Sequence, residues 1–187
     1  MLAGGLAASC RDSAPARAEA ARVVDSILPR EETLVRFRTG MPHVSSLAGG
    51  APSRDALVRR FVEALARADT AALGSLLLTR AEFAWLYYPT NPQGLPPYNL
   101  PPGLMWDMLS LRSAKGLRRA LAEYGGRHLG YTGYTCDSGV SRQGQNVVVG
   151  PCAVHLGAPG GPATLRLFGL LVEREGRYKF VSYANEL

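Results

Sequence analysis

Residues 131–156 read YTGYTCDSGVSRQGQNVVVGPCAVHL, two runs of β-branched and aromatic residues either side of a turn-forming stretch at 137–145. A chain that folds back there forms an antiparallel hairpin, and a pivot at Gly144 sets Cys136 opposite Cys152. A cross-strand disulfide is the expected consequence, two buried thiols the alternative. Downstream, ATLRLFGLLVE (163–173) and RYKFVSYA (177–184) have the same character and join through Glu175-Gly176. Four consecutive antiparallel strands are therefore expected to end the chain.

Upstream the period changes from two to about 3.6. Ser53 is a good N-cap ahead of RDALVRRFVEALARAD, where Leu57, Val58, Phe61, Val62 and Leu65 make one apolar stripe. Thr70 can cap a short second helix running to Leu78. Thr79-Arg80-Ala81-Glu82 is a capping box that opens a helix bearing Phe83, Trp85, Leu86, Tyr87 and Tyr88, which Pro89 is expected to end. The stretch 89–103 holds six prolines and excludes regular helix or central strand. Helical character returns over 104–124, with a break expected near Ser113 or Gly116 and a stop at Gly125-Gly126. Nearer the N-terminus, 17–28 has helical composition ended by Pro29, and TLVRFR (33–38) alternates as an edge strand would. The expectation is an α+β fold: N-terminal helices on a curved, cone-like, C-terminal antiparallel sheet of about four strands. The divisions are a signal-like segment (1–10), a stalk and arm (11–52) and the α+β domain (53–187).

The net charge is +6, spread along the chain, and only Lys115 and Lys179 among the 21 basic residues are lysines. No base-reading motif accompanies that charge, so nucleic acid is not an expected partner. No stretch is long and apolar enough for an internal spanning helix. MLAGGLAAS (1–9), followed by Cys10 and then Arg11-Asp12, resembles the end of a bacterial lipoprotein signal, although Ala7 stands where such signals usually carry Leu. That resemblance implies a lipidated Cys10, a membrane anchor, a periplasm-facing or extracellular envelope location, and an oxidising compartment for the other two cysteines.

The segments LVRRFVEALARADTAALGSLLLTRAEF (57–83) and GRYKFVSYANEL (176–187) resemble the opening helical pair and last strand of the nuclear transport factor 2-like (SnoaL-like) superfamily. The resemblance implies a cone of helices against a bent sheet. Its members include isomerases, cyclases, dehydratases and noncatalytic binding domains, so it implies no single activity.

Acid–base candidates by residue type are Glu82, Asp107, His128 and His155, each with a competing structural role. Glu82 can serve the capping box, Asp107 the dipole of a helix first turn, and the histidines the faces of strands. No hydrolase, metalloprotease, phosphate-loop or dinucleotide motif is present, three cysteines at these spacings make no zinc site, and no cofactor is implied. Trp85, Tyr87, Tyr88, Tyr98 and Trp106 bracket the proline stretch, and Tyr131, Tyr134 and Tyr183 come from strands. Such rings can line a pocket for a small apolar ligand or a groove for an envelope protein, or simply fill a core. The leading expectation is a noncatalytic envelope lipoprotein with such a binding surface; the alternative is a small isomerase, lyase or hydrolase acting in the cone.

Overall fold

A computed structural model describes residues 28–157 and 161–185 together with Met1 and Leu187. Cys10 and most of the expected 17–28 helix lie outside the described residues. The helices are α1 (Arg30–Arg38), α2 (Arg54–Ala66), α3 (Thr70–Ser75), α4 (Arg80–Glu82) and α5 (Pro102–Tyr124). Seven strands follow: β1 (Tyr131–Cys136), β2 (Val140–Gln143), β3 (Asn146–Val149), β4 (Cys152–Leu156), β5 (Ala163–Leu165), β6 (Leu171–Arg174) and β7 (Arg177–Phe180). The fold is α+β, helices preceding strands, with antiparallel sheets ordered β1-β4-β5 and β2-β3-β6-β7.

Seven strands replace the expected four because the long strands bend in the middle and divide between the sheets. β1 and β2 are halves of one run, β4 and β3 halves of its partner, and β5 and β6 halves of the next. The register shows the cause. From the pair Cys136–Cys152 to the pair Val140–Val149, the first run advances four residues and its partner three. One extra residue on one side is a bulge, and bulges bend strands. The expected 163–173 strand breaks where Leu167 and Phe168, consecutive residues, both enter the core, which strand alternation does not allow. Cys136 and Cys152 are disulfide-bonded directly across β1 and β4, as the hairpin reading requires.

Three further expectations are corrected. Residues 33–38 are helical, not an edge strand: Glu31 and Glu32 in the first turn and Arg36 and Arg38 in the last suit the helix dipole. Leu34 is buried and Phe37 packs beside it, while Val35, which the alternation had placed with Phe37, is exposed. The second correction is α5, which runs unbroken through Ser113 and Gly116. Its small residues form a notch where the segment after β7 crosses. A Cβ at Gly116 would fall onto the Tyr183 carbonyl oxygen. The Tyr183 amide donates to Ser113 Oγ at 3.0 Å, and Asn185 Nδ2 donates to the Gly116 carbonyl at 2.8 Å. Asp69, rather than Thr70, caps α3 by accepting from the Ala72 amide.

Both faces of the four-stranded sheet are covered. Val149, Leu171 and Phe180 face the main core, where Phe61 of α2 meets Phe168, Phe180 and Tyr183 at ring separations of 5.3–5.5 Å. Val148 and Val172 face a second core built from Leu34, Leu47, Phe83, Leu86, Tyr87, Tyr88 and Met105. α5 serves both, through Ala120 on the main core and Met105 on the second.

Candidate functional site

The segment after α4 positions three of the eight aromatic candidates, Trp85, Tyr87 and Tyr88. Thr79 and Glu82 form the expected capping box, and the helix continues through a π-helical turn (Phe83–Tyr87) into a 3₁₀ turn (Tyr88–Thr90) that accommodates Pro89. Widening to the π pattern frees carbonyls, and side chains take them up. Arg38 donates to the Ala84 carbonyl at 2.9 Å and Asn146 Nδ2 to the Leu86 carbonyl at 2.7 Å. Arg38 also lies 4.0 Å over the Trp85 ring, whose other neighbour is His43 at 4.5 Å. Arg30 donates to the carbonyls of Pro89 and Gly94. Arginine here is structural adhesive between α1 and the proline stretch, using a fork that lysine lacks.

Beside this segment, an apolar cleft of about 280 Å³ opens between α5 and the end of β7. Leu77, Leu78 and Val181 form one wall and Trp106, Leu109 and Leu117 the other, with Ser110, Ser113 and Ala114 between them. Ser113 is committed to the Tyr183 amide. Ser110 Oγ is buried and finds no partner among the described residues, although a buried hydroxyl ordinarily has one. Among the described residues, no Asp, Glu, His, Lys or Arg lines this cleft.

Glu82 is a structural acid. It is 1% exposed, and its carboxylate accepts from the Thr79 amide at 2.8 Å, the Ala48 amide at 2.8 Å, and Lys179 Nζ at 3.0 Å through both oxygens. Lys179 itself is 2% exposed, on the sheet face it shares with Val172. The pair therefore bolts the 43–52 loop, α4 and β7 together beneath the second core. Sequence reasoning found the cap but not the ion pair. A lysine two positions from Val181 on an inward strand face was the available signal, because such a charge demands an acid.

The remaining candidates do not converge on the cleft. Asp107 is exposed and sits in the second turn of α5, not the first. His155 lies on β4 between two hydroxyls, Thr135 Oγ1 at 3.2 Å and Thr164 Oγ1 at 3.1 Å. His128 is in the loop before β1 rather than in a strand, exposed, at the rim of a dent of about 230 Å³ shared with Arg59, Glu63 and Tyr131. The Tyr131 hydroxyl there is buried and finds no hydrogen-bond partner among the described residues, and burial raises its pKa. Tyr134 is half-buried beside the main core, and its pKa is likewise raised by burial. Tyr183 is wholly in the main core, its hydroxyl donating to the Leu73 carbonyl at 2.7 Å. Tyr87 and Tyr88 are buried in the second core, and Tyr88 donates to the Leu100 carbonyl at 2.8 Å. Burial pushes the Tyr87 phenol up to about 12. Tyr98 is exposed, and Trp106 alone of the eight aromatic candidates lines the cleft.

Among the described residues, no three His, Cys, Asp or Glu side chains are grouped to hold a metal ion, and no helix is long and apolar enough to cross a membrane. Comparison of the chain with protein-family models, curated proteins and solved structures found no match.

Proposed function

We propose that this chain is a noncatalytic, lipid-tethered envelope domain of nuclear transport factor 2-like shape that binds a small apolar ligand between α5 and β7. The observation that carries the reading is the cleft's lining: leucines, Val181 and the Trp106 ring, one hydroxyl without a partner, and no ionisable group. A dry apolar slot with one polar anchor suits a ligand with an alkyl or aromatic body and a single hydrogen-bonding group. Its volume lies at the small end of ligand sites, which favours a single ring or short alkyl chain over a fused polycycle. General acid–base chemistry has nothing to work with there. The tether rests on the lipobox-like run ending at Cys10, and the Cys136–Cys152 pairing accords with an oxidising compartment.

A second reading attaches to the dent at Tyr131, where a buried phenol without a partner neighbours Glu63 and His128. Acid–base catalysis would have to live there.

The test is displacement of a fluorescent naphthylamine probe. Ala114→Phe, which places a ring at the cleft's mouth, should weaken probe binding about tenfold, whereas Tyr131→Phe should leave it unchanged. The opposite pattern would transfer the site to the dent.

A further inference from the structure

The outward face of α5 is unusual in a different way. Leu104, Met108 and Leu111, spaced at i, i+4 and i+7, stand side by side on the solvent side of the helix. Leu104 is 51% and Leu111 72% exposed, and Tyr98, in the loop leading into α5, is 72% exposed. One or two exposed apolar side chains need no explanation, but three on one face of a helix, with a fourth in the loop leading into it, do. Further along the same face the residues change to Arg112, Lys115, Arg118 and Arg119. Arg112, Lys115 and Arg118 make no ion pair among the described residues, and Arg119 donates only to the Leu187 carbonyl. Within α5, Asp107 is the acid at the apolar end and Glu123 lies beyond the cations. An apolar end followed by a cationic end, on one continuous 23-residue helix, is therefore presented to solvent.

We infer that this face of α5 docks on an anionic bilayer surface, with Leu104, Met108, Leu111 and Tyr98 entering the interface and Arg112, Lys115, Arg118 and Arg119 meeting lipid phosphates. Four cations against the two acids of the same helix, flexible aliphatic side chains and one exposed phenol fit the boundary between headgroups and acyl chains. A folded protein partner would instead call for a mixed-charge rim around a packed aromatic or arginine centre. The inference does not depend on the cleft being occupied.

The experiment uses the full chain carrying Cys10→Ser, so that no acyl anchor contributes, and flotation with vesicles of phosphatidylcholine alone or mixed equally with phosphatidylglycerol. Binding to the mixed vesicles only is expected, and it should weaken as salt rises. Each basic side chain near an anionic surface is worth about fivefold in partition, so neutralising Arg112, Lys115 and Arg118 together to Gln should weaken binding about a hundredfold. Leu104→Ser combined with Leu111→Ser should also release the protein. All five positions are solvent-exposed, and unchanged thermal melts will show that these variants remain folded. Arg54→Gln with Arg60→Gln on α2 should bind as the parent does. Failure to float with anionic vesicles would overturn the inference. So would equal binding to both vesicle types, loss of binding in the α2 variant, or retention by an acidic soluble protein without vesicle binding.

Discussion

The two faces of the β2-β3-β6-β7 sheet solve the same burial problem differently. On one, Val149, Leu171 and Phe180 meet Phe61 and Phe168 in a core sealed by aromatic edge-to-face contacts. On the other, Val148 and Val172 share the surface with Lys179, and an ion pair, a π-helical turn and guanidinium groups hold the covering layer. The first face needs only apolar volume. The second specifies register, because Lys179 can satisfy its charge at Glu82 alone among its described neighbours. The second layer is assembled from loops and short turns, and the proposed binding cleft lies at its edge, lined by Leu78, Val181, Trp106 and Leu109 of that core.

Breaking the bolt should have the largest effect. Glu82→Ala leaves Lys179 buried and uncompensated and should cost about 3–5 kcal/mol, measured by urea unfolding. Glu82→Leu with Lys179→Met should recover most of that loss. If the double variant is as unstable as the single one, the apolar surroundings are not what makes the lone charge costly.

On the dry side, Cys136→Ser removes a crosslink spanning a sequence separation of 16 and should cost about 3 kcal/mol in the unfolding free energy. An unchanged midpoint between oxidised and reduced parent protein would deny that the bond closes this hairpin.

The two buried phenols, Tyr87 in the second core and Tyr183 in the main core, test whether the faces are equally closed. Both have pKa values raised by desolvation, so the folded state holds those protons more tightly than the unfolded state. Stability from Tyr87 is full below the ordinary phenol value of 10.0 and is lost as pH climbs through about 12. Unfolding curves from pH 9 to 12 should fall in this sense, and Tyr87→Phe should flatten the decline in part. A parent protein indifferent to pH across that range would mean that water reaches both rings.

Much of this was legible in the sequence wherever local chemistry decides the outcome. Ser53 caps α2, the Thr79–Glu82 box forms, and Cys136 faces Cys152, because caps, helical stripes and hairpin registers are set within a few residues. The misreadings have non-local causes. TLVRFR alternates like a strand, yet it coils because Leu34 and Phe37 are wanted on one side by the second core. Gly116 resembles a helix breaker and is instead the point where another backbone crosses α5. The division of long strands into two sheets follows from bulges, which leave no mark on a hydrophobic pattern. As for the site, Trp106 was among the sequence candidates, while nothing in the sequence singled out Leu77, Leu78 or Val181. Only the crossing of α5 over the end of β7 turns them into a wall.

The most direct test uses the fact that Trp85 and Trp106 are the only tryptophans. In a Trp85→Phe variant, Trp106 alone reports on the cleft, and its emission can be titrated with a graded series of short-chain alcohols and single-ring phenols. The account predicts a saturable blue shift that tightens with chain length until the cleft is full and then stops tightening. Emission that stays constant, or drifts without saturation for every member of the series, would contradict ligand binding at this cleft.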